Sequence, residues 1–240
     1  MPDVSLRQAE YIRRHRRHHH LVALCRFLAF AGFLVLWEIS VNLEWIDAFI
    51  FSSPSRVLQT ILEMGGDHTL FRHTGITLYE TLLSFALVIL VSFLAATLLW
   101  FSSSLSEILE PWLVILNSLP KSALAPLLIV WLGANMKTII IAGMSVAVFG
   151  SIISMYTAFR TTDEEEIKLI YTLGGSRMQV LRCVVFPSSV PAIISILKVN
   201  IGLCLVGVII GQFLGAREGL GYLIIYSSQV FNVNYLIAAL

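Results

Sequence analysis

The chain has 240 residues, 57% of them hydrophobic and 13% charged, with a net charge of +1. A soluble globular domain carries about twice that charged fraction, so the surplus apolar surface has to face lipid. The near-neutral balance offers no electrostatic case for nucleic acid, and Cys25, Cys183 and Cys204, with no CxxC or ligand spacing, are expected to be packing residues.

Residues 1–20 form a polar, basic tail containing Arg13, Arg14, Arg16, Arg17 and the run His18, His19 and His20. The apolar stretch that follows continues for most of a membrane span without a small-residue cleavage pattern, so a signal peptide is not expected. A cytoplasmic tail beside anionic headgroups is expected instead. The three histidines lack an acidic or cysteine partner, so no metal site is assigned. Residues 21–240 are then the membrane domain.

Five segments are apolar over the roughly 20 residues that a span requires: 27–45, 75–101, 112–133, 136–159 and 189–215. Pro111, Pro120 and Pro126 are expected to break the third into shorter helical pieces. A further apolar run opens at Tyr235 and reaches Leu240, the last residue of the sequence. The expected fold is therefore all-α, a polytopic transmembrane helical bundle of five complete spans plus the start of a sixth.

Lysine and arginine counts set the orientation. With the N-terminus inside, the cytoplasmic side holds Arg7, Arg13, Arg14, Arg16, Arg17, Arg26, Lys121, Arg160, Lys168, Arg177 and Arg182. Arg56, Arg72, Lys137 and Arg217 fall outside. This places 160–188 in the cytoplasm. There, Asp163, Glu164, Glu165 and Glu166 stand where acidic side chains favour a helix N-terminus. Helical spacing runs through Ile167, Ile170, Tyr171 and Leu173, breaks at Gly174, Gly175 and Ser176, and resumes at Met178, Leu181 and Val184. Two short amphipathic helices around a glycine turn, ending at Pro187, are expected, either on the headgroups or docked to a cytoplasmic partner.

Gly207, Gly211 and Gly215 of the fifth span make two GxxxG steps, a face for close helix approach or for a pathway. Lys198 is costly in hydrocarbon unless it meets water or protein or snorkels, and Glu38 of the first span is a possible counter-charge. No P-loop, HExxH or GxSxG occurs, and the other histidines, His68 and His73, lie in the first outer loop. An enzyme is thereby disfavoured, and no cofactor is implied.

Residues 168–187, KLIYTLGGSRMQVLRCVVFP, carry Gly174, Val184, Phe186 and Pro187 in the register of the cytoplasmic loop of ABC importer permeases, although Lys168, Leu169 and Ile170 replace the E-A-A that opens it. Residues 118–133 match on Pro120, Lys121, Ala123, Leu124, Pro126 and Leu127, and 211–224 match on Gly219, Leu220, Gly221 and Tyr222. On these segments the chain resembles the permease subunits of nitrate, sulfonate and taurine importers, which often have glutamate at Gln212. The outer loop Ser53, Pro54, Ser55 and Val57 also fits.

The resemblance implies a type I ABC importer permease fold, in which two permease copies form a pathway, two cytoplasmic ATPases dock on the loops, and an external binding protein delivers solute in a bacterial inner membrane. It makes Glu165, Glu166, Lys168, Gly174, Gly175, Val184, Phe186 and Pro187 the coupling residues. Pro120, Lys121, Pro126, Gly207, Gly211, Gln212, Gly219 and Gly221 become candidates for the pathway or gate. The implied solute is an organic or inorganic anion such as a sulfonate or nitrate, or a heteroaromatic compound such as a thiamine precursor. A sixth span is implied too, hence the expectation of a truncated chain. The competing readings are a secondary carrier using Glu38 and Lys198, and a non-transporting scaffold.

Overall fold

The computed structural model describes residues 6–240, and of the side chains before Leu21 only that of His15, so the basic tail's side chains lie outside the described residues. All regular structure in the described residues is helical. Helix α1 (Leu6–Asn42) leads to the short α2 (Ala48–Phe51) and to α3 (Pro54–Gly66). The long α4 (Thr69–Phe101) returns across the molecule. Then come α5 (Ser103–Ser118), α6 (Lys121–Leu132) and α7 (Met136–Arg160). The chain closes with α8 (Glu164–Thr172), α9 (Arg177–Val180), α10 (Phe186–Gly215), α11 (Leu220–Gln229) and α12 (Val233–Ala239).

Four helical runs are long and apolar enough to cross a membrane, Leu21–Asn42, Thr69–Phe101, Met136–Arg160 and Arg177–Gly215, and α5 with α6 makes a fifth if counted as one broken span. The break is a 94° bend. It has a single cause: Leu119 is driven into extended backbone (φ −61°, ψ 141°) by the proline that follows it, and Pro120 has no N–H to continue the ladder. Pro111 and Pro126, expected as further breaks, lie inside α5 and α6. The loop expected at Ser53 is instead a helix start, with Ser53 as N-cap and Pro54 in the first turn.

Helix α7 is the axis of the bundle, held between α4 and α10. Small residues make the approach possible. A Cβ on Gly143 would lie 2.7 Å from Ser84 Oγ and 2.8 Å from Val208 Cγ2, and one on Gly207 would lie 2.8 Å from Gly143 Cα. Gly211 abuts Ala142 and Ile139, and Gly215 abuts Ile129 of α6. Gly207, Gly211 and Gly215 of the fifth span are thus met by helices α6 and α7 of the same chain. Hydroxyls reinforce the seam: Ser84 Oγ donates to Ile140 O (3.1 Å), and Asn200 Nδ2 donates to Ser151 Oγ (2.8 Å). In a low-dielectric interior such bonds satisfy groups that would otherwise be stranded.

Two side-chain expectations change. Glu38 accepts from Ser55 N (3.1 Å) and Ser55 Oγ (2.8 Å) and so ties α1 to α3, while Lys198 is exposed on α10. Among the cysteines only Cys204 packs in the core; Cys25 and Cys183 are exposed.

Candidate functional sites at the two ends of the bundle

At one end, α7 hands over to the segment singled out in the sequence. Asp163 accepts from Glu165 N at 2.8 Å and caps α8, with Glu164, Glu165 and Glu166 all in its first turn. The helix stops at a left-handed Gly174 (φ 79°), and Gly175 N–H bonds back to Ile170 O at 2.9 Å. Gly175 is needed for close approach, since a Cβ there would lie 2.5 Å from Ile170 Cγ2. Ser176 then opens α9 with a reciprocal capping box to Gln179.

The second helix does not end at Pro187. A π-helical turn, Leu181–Val185, joins α9 to α10, so helical backbone runs unbroken from Arg177 to Gly215. Its wider ladder, with Phe186 N–H bonded to Leu181 O, leads into Pro187 in the first turn of α10, where a missing N–H is tolerated. The backbone of α9 therefore passes into a membrane span without leaving helical geometry.

The segment has two faces. Val180 and Leu181, with Val185 just beyond them, are buried with Ala96, Leu99, Met155 and Phe159, so one face of this element packs on its own chain. Arg177 adds a polar anchor: its Nη1 donates to Phe101 O at 2.7 Å, and its guanidinium lies 5.6 Å from the Trp100 ring centroid. It satisfies a carbonyl at the C-terminal end of α4. The other face is open: Leu169, Leu173 and Met178 are exposed, Leu173 by 75%. Lys168 makes only an exposed pair with Glu164 (3.3 Å), which contributes little stability. Val184 is buried, whereas Phe186 is exposed.

At the opposite end a polar knot joins α4, α10 and α11. Gln212, fully buried, donates through Nε2 to Glu80 Oε2 (2.6 Å) and accepts at Oε1 from Gly221 N–H (2.8 Å) and Thr77 Oγ1 (3.1 Å). Thr77 Oγ1 in turn accepts from Leu220 N–H (2.8 Å), and His73 Nδ1 accepts from Gly219 N–H (2.9 Å). The first backbone donors of α11 are thereby satisfied by side chains of α4 and α10. Gly219 has φ 109°, and a Cβ there would lie 2.3 Å from Gln212 Nε2, so only glycine fits. Arg72 and Glu218 pair over the knot. Of these residues the sequence alone singles out Gln212, Gly219 and Gly221 as site candidates, and not His73, Thr77 or Glu80.

Lys121 sits at the α5–α6 bend and donates to Leu116 O (3.4 Å) and to Asn117 O, capping the broken end of α5. Pro120 and Pro126 are exposed on the same pair. The structure brings Gln212, Gly219 and Gly221 together and buries Gly207 and Gly211 in the seam with α7, while Pro120, Lys121 and Pro126 take no part in the Gln212 hydrogen bonds. No group of three or more potential metal ligands occurs among the described residues.

Residues 88–240 match the family model of the binding-protein-dependent transport system inner membrane component. A probable ABC transporter permease protein of Haemophilus influenzae is 32% identical over 207 residues, covering 86% of this chain and 84% of the relative. A formylaminopyrimidine transport permease of Halalkalibacterium halodurans is 26% identical, covering 81% of this chain and 77% of its own. The taurine transport system permease of Escherichia coli is 24% identical, covering 88% and 78%. Among solved structures, the inward-facing MetNI methionine ABC transporter superposes with a TM-score of 0.61 at 18% identity, over 68% of this chain and 82% of that one, which is a likeness of fold.

Proposed function

We propose, for a chain that belongs to the binding-protein-dependent transport inner membrane component family, that it is an ABC importer permease which forms the solute pathway and is driven through residues 163–180. The observation that carries this reading is the two-faced element at the α7 end. One face is anchored to α4 and α7, the other presents Leu169, Leu173 and Met178 to the surroundings, and α9 continues in helical backbone into α10. Such an element is built to receive a push from outside the chain and deliver it to a span.

In this reading a separate ATPase grips the exposed face, with Glu165, Glu166 and Lys168 at its polar edge and Gly174 and Gly175 shaping the turn. The N-terminus and residues 160–188 face the bacterial cytoplasm, as the Lys and Arg distribution favours. A second permease copy covers the apolar surface of the bent α5–α6 pair, where Trp112, Ile115, Leu127, Val130 and Trp131 are exposed beside Pro120, Lys121 and Pro126. An external binding protein delivers the solute at the Gln212 end. Gly207 and Gly211 act by packing and not by contact with solute. The carrier reading loses its motive, because Glu38 is engaged by Ser55 and not by Lys198.

The test is uptake into proteoliposomes holding this permease, with the cognate ATPase and binding protein supplied. Uptake that requires ATP and all three proteins supports the assignment. Uptake driven by an ion gradient without the ATPase would replace it with a carrier.

A further inference from the structure

Where α1 gives way to α2, two surface features adjoin. One is an apolar groove of ≈ 630 Å³, walled by Phe33, Leu36 and Trp37 of α1 and by Val233, Leu236 and Ile237 of α12. The other is a polar pocket of ≈ 550 Å³ lined by Asn42, Glu44, Asp47 and Arg56. Ile46 lines both. Each volume falls within the roughly 300–1,000 Å³ range of small-molecule sites.

The junction has the character of a bilayer edge. The apolar run Leu21–Asn42 ends there, and charged residues follow directly at Glu44 and Asp47. Trp45, 76% exposed, and the exposed Phe49 belong to the same stretch, and such aromatic rings gather at the headgroup level of a membrane. The frame is fixed by hydrogen bonds. Asp47 accepts from Phe49 N–H (2.8 Å) and caps α2, and Ser52 Oγ donates to Asn234 Oδ1 (2.6 Å), which fastens the end of α2 to α12.

The charges suit one class of occupant. Glu44 and Asp47 set against Arg56 leave the pocket net negative, and among the described residues none of the three forms an ion pair. Arg56 lies within electrostatic reach of Glu38, whose carboxylate is already engaged by Ser55. We infer that pocket and groove together are a phospholipid site selective for phosphatidylethanolamine, with the ammonium at Glu44 and Asp47, the phosphate at Arg56 and an acyl chain between α1 and α12. Phosphatidylglycerol brings only negative charge to a net negative pocket. Phosphatidylcholine carries a quaternary ammonium with no N–H to donate to the two carboxylates.

The test is native mass spectrometry of the purified permease in detergent, after incubation with equal amounts of phosphatidylethanolamine, phosphatidylglycerol and phosphatidylcholine that differ in acyl mass. One phosphatidylethanolamine retained per permease, with a preference of about tenfold or more over each of the others, is the expected result. Glu44→Gln removes one carboxylate from an exposed position and should erase most of that preference. Ile237→Trp fills the groove while leaving the headgroup pocket intact, and should abolish retention. Should Ile237→Trp fail to fold, Glu44→Gln decides alone. No retained lipid, phosphatidylglycerol or phosphatidylcholine held as well as phosphatidylethanolamine, or undiminished preference in a variant that stays monodisperse overturns the site. Lipid retention needs neither an ATPase nor a binding protein, so its failure would leave the transport reading standing.

Discussion

Gln212 is where three helices are held by one side chain, and its carboxamide is suited to the task because it donates to a carboxylate and accepts from a backbone N–H at once. Gln212→Glu removes the donor and sets a second carboxylate against Glu80 with no cation between them. We expect a loss of about 2 kcal/mol, read as a lower thermal midpoint in detergent. Glu80→Gln added to it restores a donor and should recover most of the loss; a double variant as unstable as Gln212→Glu alone would show that the two side chains are not coupled. Part of this knot was legible. Gln212, Gly219 and Gly221 stood out by resemblance, while Thr77 and Glu80 did not, and His73 was placed in the first outer loop although α4 already begins at Thr69. Their spacing was the available signal: steps of four and three put all of them on one face of α4, and polar residues on one face of a membrane helix need a common partner.

The α8–α9 element was legible in outline and misread in depth. Amphipathic spacing and the Gly174–Gly175 break predicted two helices and a turn, as found, but periodicity cannot tell a face that meets an external partner from one that meets its own chain. Val180 and Leu181 belong to the second kind. Two substitutions separate the roles. Gly174→Val places a β-branched residue at φ 79°, a strain of about 1–2 kcal/mol confined to the turn. Membrane insertion should be unchanged while ATP hydrolysis is uncoupled from uptake; wild-type coupling would deny the turn a mechanical role. Arg177→Ala frees the Phe101 carbonyl and the stacked rings, and should raise the ATP consumed per solute by several-fold. Arg177→Lys keeps the charge but not the planar fork, so little recovery is expected, and full recovery would mean that charge alone suffices.

For the molecule as a whole, hydropathy located the C-terminal ends of the long helices to within a few residues but started most of them late, by up to 12 residues at Arg177, since a run of apolar side chains has no alternative to lipid or a core but polar first turns carry no such signal. What it could not supply was which faces meet. The GxxxG steps of α10 announced close packing without naming the partner, and α7 proves to be that partner through Gly143 and Ala142. Gly207→Val should therefore lower the yield of folded, monodisperse protein severely, whereas Gly202→Val, with nothing within 4 Å of its Cβ position, should not. Equal behaviour of the two would place the seam elsewhere. The central claim, that the exposed face of α8 and α9 receives an ATPase, is tested most directly by site-specific cross-linking. Leu173→Cys is introduced after the exposed Cys25 and Cys183 are replaced by serine, and the complex is treated with a short bifunctional thiol reagent against single cysteines in the ATPase. The account predicts a permease–ATPase adduct at Leu173 whose yield changes with ATP, and none from the buried Val180 position; adducts absent at Leu173 in a complex that still transports would contradict it.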